Sequence, residues 1–172
     1  MRCRTGALLC MVVFGLAACA TQPLPPTEWS YAKDAVQIHV KADAKLNLDN
    51  GVSHTLVLCV YQLRDPNTFN QLSDDPAGIY KLLECSLFDG SVATAKRLIV
   101  HPGQDMNVNL DRAEGAKYVA VVAGYYKLQK ERMIRLYDIP VVVEEKGVIK
   151  RTKTSKPGPL TVTLELGPQQ IK

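Results

Sequence analysis

Residues 55–63, TLVLCVYQL, set the reading of the whole chain. The run is β-branched or apolar almost throughout, which marks a strand covered on both faces rather than one with a wet side. Residues 117–126, KYVAVVAGYY, have the same character and form a second central strand, with Gly124 marking a bulge or a close approach. A chain organised around such strands must cover them on both sides.

Upstream of the first run, Val36, Ile38 and Val40 alternate with Gln37, His39 and Lys41. This period of two predicts a strand over 35–42 with one solvated face, on which His39 is an exposed bystander. Between the two strands, residues 43–54 (DAKLNLDNGVSH) hold Asp49-Asn50-Gly51 and few strand formers. That connection is far longer than a tight hairpin turn, and loops of this length are often functional.

Downstream, the pattern changes to helix. Asp65-Pro66 and Asp75-Pro76 each read as an N-cap followed by proline at the first helical position, where its missing N–H costs nothing. Phe69 and Leu72 give a short helix its apolar side, and over 76–86 Ile79, Leu82 and Leu83 form a stripe that Leu87 would extend. The adjacent acids Asp74 and Asp75 are explained by capping rather than by acid–base chemistry. Strand patterns resume over 95–100, 106–110, 133–138, 141–144 and 161–166, with Val162, Leu164 and Leu166 inward and His101-Pro102-Gly103 as a turn. Residues 146–159 read as a basic loop. About seven or eight strands without βα alternation predict a mainly β, two-sheet sandwich with a helical insertion around 65–90 between early strands.

The amino terminus has a different purpose. Arg2 and Arg4 precede an uncharged apolar run, ALLCMVVFGL, and then Leu16-Ala-Ala-Cys19. The run is too short to span a bilayer and reads as an export signal over 1–18. A cysteine directly after Leu-Ala-Ala resembles a bacterial lipobox, in which the thiol of Cys19 takes the diacylglycerol and becomes the new amino terminus. Several acyl chains would make the attachment effectively permanent. Ala20 rather than Asp after the cysteine points to the outer membrane, with the folded part facing the periplasm. Residues 19–30, with Pro23, Pro25 and Pro26, form an extended tether, and Trp29 and Tyr31 at its end are expected to pack on the domain of residues 31–172, the alternative being contact with the lipid interface.

Charge and chemistry exclude several functions. The formal net charge of +4 falls close to neutral once Arg2 and Arg4 leave, so no basic footprint for nucleic acid remains. His39, His54 and His101 fall in no ligand spacing, and no phosphate loop or nucleophile elbow is present. The chain therefore reads as a non-enzyme without cofactor or metal, apart from the covalent lipid on Cys19. Cys3 and Cys10 leave with the signal, so Cys59 and Cys85 remain as a candidate disulfide stapling the insertion to the sheet, the alternative being two buried thiols.

The order of features is similar to the TssJ (VasD, SciN) family of type VI secretion outer-membrane lipoproteins. The likeness runs from Cys19 through Lys41-Ala42-Asp43, Val60-Tyr61-Gln62-Leu63-Arg64-Asp65, Phe69, Leu82-Leu83 and His101-Pro102-Gly103 to Tyr118-Val119-Ala120-Val121-Val122-Ala123-Gly124-Tyr125-Tyr126. It departs at Arg132-Met133-Ile134-Arg135, where similar proteins carry a Trp-Arg pair. The resemblance implies a transthyretin-like β-sandwich, a monomer when isolated. It also implies binding to the periplasmic carboxy-terminal region of the inner-membrane protein TssM. The partner-contacting element would be the loop over 44–54, with Lys45, Leu46, Asn47, Leu48, Asp49 and Asn50 at its tip. Leu46 and Leu48 are then expected to be exposed, the alternative being that both tuck onto the sandwich. A lipid-anchored glycan- or peptidoglycan-binding module and a secretin pilotin are the other readings, with Tyr125, Tyr126 and Tyr137 as stacking candidates for the former.

Overall fold

The structure, a computed structural model, describes residues 25–146 and 152–172. The expected signal over 1–18, Cys19 and the tether up to residue 24 lie outside them. Strand β1 (Ala32–Ala42) pairs antiparallel with β4 (Asp105–Arg112) and parallel with β9 (Leu160–Leu166), giving a sheet ordered β4-β1-β9. A second, antiparallel sheet is ordered β3-β2-β5-β6, from β2 (Leu56–Leu63), β3 (Val92–Val100), β5 (Tyr118–Ala123) and β6 (Ile134–Asp138). Between β2 and β3 lie the helices α1 (Asn67–Ser73) and α2 (Pro76–Leu82).

Strand alternation explains why residues 56–63 are apolar at nearly every position. Leu56, Leu58 and Val60 face the three-stranded sheet with Val36, Ile38, Val40, Val119, Val121 and Leu164. Cys59, Tyr61 and Leu63 face the other way, against Phe69, Leu82 and Val92. The four-stranded sheet is thus the middle layer, with the second sheet on one face and the helical insertion on the other. Gln62, also buried, donates to the Asp111 carbonyl and accepts the Ala113 N–H, both at 2.8 Å, which satisfies its amide between the sheets.

The insertion is fixed locally and covalently. Asp75 accepts the Gly78 N–H at 3.0 Å as the N-cap of α2, with Pro76 behind it. Gly78 is required by close packing, because a Cβ there would lie 2.1 Å from the Leu72 carbonyl oxygen. Helix α1 starts one residue later than the Asp65-Pro66 pattern predicts: Pro66 occupies the cap, and Asp65 accepts the Asn67 N–H at 2.8 Å. Cys59 and Cys85 are joined by a disulfide, their Cα atoms 5.1 Å apart. Leu87 stays 64% exposed, since α2 stops at Leu82 and Cys85 turns the chain away with a φ of 52°.

Two further elements differ from the sequence expectation. Residues 146–159 are not simply a loop: β8 (Thr152–Pro157) pairs with β7 (Val141–Lys146) as a two-stranded arm outside both sheets. The sequence TKTSKP has no apolar face because it packs against no core. Helix α3 (Lys130–Met133) is one turn long and buries Met133, which the alternating pattern had assigned to a strand.

Candidate functional site

The strand β1 separates two ends of the molecule. At 11 residues and a rise of about 3.3 Å each, it holds them roughly 33 Å apart. At its amino-terminal end the tether arrives: the buried guanidinium of Arg112 donates to the Ser30 carbonyl at 2.9 Å, and the Trp29 carbonyl accepts the Gly115 N–H at 2.7 Å. Trp29 packs against the core. Burial pushes the Arg112 pKa down. At the other end lies the long connection between β1 and β2.

That connection is a built structure. Asp43 opens it by accepting the Lys45 N–H at 2.8 Å. The Leu46 carbonyl accepts the His54 N–H at 3.0 Å, and the Leu48 N–H donates to the Pro168 carbonyl at 2.7 Å. At the tip, Asp49 and Val52 exchange two backbone hydrogen bonds of 2.9 Å around Asn50 and Gly51. Both central residues have positive φ, 48° and 81°, the requirement of a tight type I′ turn that Asn-Gly meets.

The six residues expected to bind a partner divide by burial. Leu46 is fully buried in the core and Asn47 is buried at 5% exposure, so neither offers surface. This corrects the expectation that Leu46 is exposed. The turn over 44–47 aims its side chain between the sheets, where apolar burial outweighs display. Leu48 and Asp49 are half-buried, while Lys45 and Asn50 are exposed. Asn47 spends its amide internally, donating to the Thr55 carbonyl at 3.2 Å and accepting the Tyr126 N–H at 3.0 Å.

That last bond joins the loop to the segment after β5 and brings Tyr126, which the sequence reading weighed only for glycan stacking, to the loop. Val52 is 57% exposed and Tyr126 is 58% exposed; the Tyr126 ring stands edge-on to His54 with centroids 5.0 Å apart. Lys127 is exposed beside it. Tyr126 and Lys127 line one shallow depression with Leu48 and Asp49 of the loop, so an exposed aromatic ring stands among charges of both signs. Such a composition suits contact with another protein, in which an aromatic anchor is surrounded by charges. Nothing in the local sequence pairs Tyr126 with residue 47, because their proximity comes from the order of strands in the sheets.

The aromatic strip that glycan stacking would use does not assemble. Of the three candidates, Tyr125 is buried, with its pKa pushed up by burial, Tyr137 is half-buried, and Tyr126 alone is open to solvent. Among the described residues no three His, Cys, Asp or Glu side chains come together to hold a metal ion. His39 contacts Asp105 at 2.6 Å on the outer face of β1, toward its carboxy-terminal end, where Asp105 lies opposite Lys41. No helix among the described residues is long and apolar enough to cross a membrane.

Comparison with known proteins gives a family and a fold. A family profile described as type VI secretion lipoprotein, VasD, EvfM, TssJ (T6SS-SciN) matches residues 34–166. Curated protein sequences give no match. Among solved structures, the chain is similar to the type VI secretion lipoprotein TssJ1 from Pseudomonas aeruginosa, at 22% identity and TM-score 0.56, over 86% of this chain and 95% of that one. It is similar to Serratia marcescens Lip, a membrane bound component of the type VI secretion system, at 17% identity and TM-score 0.59, over 83% and 96%. A third similar chain, at 16% identity and TM-score 0.58 over 80% and 94%, comes from a structure described as the T6SS protein TssM C-terminal domain (869-1107) from EAEC.

Proposed function

Since this chain belongs to the type VI secretion lipoprotein family, we propose that it is a structural component of the secretion system's membrane complex, anchored to the outer membrane through lipid on Cys19. Its other end, the surface around the loop over 44–54, binds the periplasmic region of the inner-membrane protein TssM. The family is one of structural lipoproteins rather than of enzymes, and the role proposed here is non-catalytic.

The observation that carries this reading is the separation of the two ends. A protein that links a membrane to a partner needs its anchor and its contact surface apart, and β1 runs between them for about 33 Å. The TssM assignment has a second support. A chain of similar fold comes from a structure described as the T6SS protein TssM C-terminal domain.

The test is co-purification of residues 20–172 with the periplasmic region of TssM from the same genome. This lipid-free chain keeps every buried residue of the core. A stable complex is expected, and it should be lost in the double variant Val52→Asp, Tyr126→Asp while the melting temperature holds. No complex from a folded domain would overturn the proposal. A complex indifferent to both substitutions would move the contact elsewhere on the domain.

A further inference from the structure

The β7–β8 arm has no role in either end as described so far. Its strands pair only with each other, and a lone two-stranded ribbon is marginal in water. Yet β7 begins with three successive valines, Val141, Val142 and Val143, at 47%, 43% and 48% exposure. Strand alternation sends Val141 and Val143 to one face, opposite Pro157 and Ser155, and Val142 to the other, against Gly158. A ribbon that belongs to neither sheet and keeps three valines nearly half exposed invites a partner surface.

The place of the arm identifies that surface. Ser155 on β8 donates to the Pro25 carbonyl at 2.9 Å and accepts from the Thr27 hydroxyl at 2.9 Å, so the tether is pinned to the arm. Only residues 20–24 stand between Pro25 and Cys19. A fully extended chain covers at most about 3.3–3.6 Å per residue, which keeps Cys19 within roughly 20 Å of Pro25. If Cys19 carries lipid, the arm is held at the bilayer surface.

From this we infer that the β7–β8 arm is a second, non-covalent membrane contact, whose face bearing Val141 and Val143 docks on the phospholipid surface beside the anchor. Charge does not oppose it. Glu145 is paired with Lys153 at 3.1 Å and Glu144 with Lys156 at 2.5 Å, so the arm does not present bare carboxylates to anionic headgroups. Lysines of this kind lay apolar stems on the interface and keep their ammonium groups in water. The contact can be weak, because the anchor already supplies a high effective concentration. Its consequence is orientation: docking through the arm points the far end of β1 away from the bilayer, toward the periplasm.

The inference rests on lipid attachment at Cys19, so the test reads the two separately. The mature lipidated protein carrying Val143→Cys is labelled with an environment-sensitive fluorophore and reconstituted into phosphatidylethanolamine–phosphatidylglycerol vesicles. Its other cysteines are blocked by the lipid and the disulfide. A matched label at Asn50→Cys reports on the opposite end, and mass spectrometry of the Cys19 peptide reports acylation. The expected result is a blue-shifted emission at position 143, quenched several-fold by spin-labelled lipids, with position 50 unaffected. An acylated protein whose position 143 is as wet as position 50 overturns this inference alone. So does protection that appears only on adding TssM or on crowding the vesicles, since a protein would then be the cover. An unacylated Cys19 overturns the anchoring proposal and this inference with it.

Discussion

The side-chain oxygen of Asn47 accepts the backbone N–H of Tyr126 at 3.0 Å, and this single bond makes one surface of two loops that are far apart in sequence. Asn47 is suited to the position twice over, since its φ of 47° lies in the left-handed region that asparagine tolerates and its amide is satisfied on both sides. Asn47→Ala should therefore cost about 2–3 kcal/mol of stability, from two lost hydrogen bonds and a strained backbone. Asn47→Gly should recover about 1 kcal/mol of that by removing the strain alone. Both should weaken TssM binding, because neither holds Tyr126. Urea denaturation and calorimetry on the same proteins check this, and equal stability of the two variants would contradict the backbone argument.

Leu46 and its neighbours separate folding from binding. Because Leu46 is fully buried, Leu46→Ala should lower stability by about 2–5 kcal/mol through the cavity it leaves. Lys45→Glu, on the exposed side of the same turn, should leave the melting temperature within a degree or two while weakening the complex with TssM. A Leu46 variant that keeps full stability and loses binding would instead restore the exposed-leucine reading.

Much of this was legible in the sequence because the physics is local. The alternation in β1, the unbroken apolar run in β2 and the Asp75-Pro76 cap all report their surroundings within a few residues, and each element is present. The type I′ turn was signalled by Asp49-Asn50-Gly51. What stayed hidden depends on distant partners. The burial of Leu46 follows from the Leu48–Pro168 and His54–Leu46 backbone bonds. Tyr126 reaches the site only because β2 and β5 are neighbours. The arm was missed because β8 has no apolar period, its partner being a strand outside the core.

The Cys59–Cys85 disulfide closes a separation of 26 residues and ties the end of the insertion to the middle sheet. Chain entropy for such a loop predicts that Cys59→Ala, Cys85→Ala costs about 3–4 kcal/mol, and that dithiothreitol acts on the wild type in the same direction. Because the helices cover the outer face of β2, the loss should be felt first there. Hydrogen exchange at the amides of α1 and α2 should quicken before that of β1 or β9. Uniform quickening across the domain would mean that the insertion and the sandwich unfold as one unit.

Tyr61 gives the domain an alkaline limit. Its ring is fully buried between Phe69 and Phe88, its hydroxyl donates to the Leu82 carbonyl at 2.6 Å, and burial pushes its pKa up to about 12. The unfolded chain would ionise near the usual value of about 10. With the folded value raised, this contribution to stability is whole below pH 10 and is lost as pH climbs through 12. Each pH unit in that window removes about 1.4 kcal/mol for a group still protonated in the fold. Tyr61→Phe should therefore be less stable than wild type at pH 7, because the Leu82 carbonyl loses its donor, yet show a shallower fall between pH 10 and 12. Thermal melts at intervals across that range decide it: parallel curves for the two proteins would mean that another group, such as the equally buried Tyr125, sets the limit.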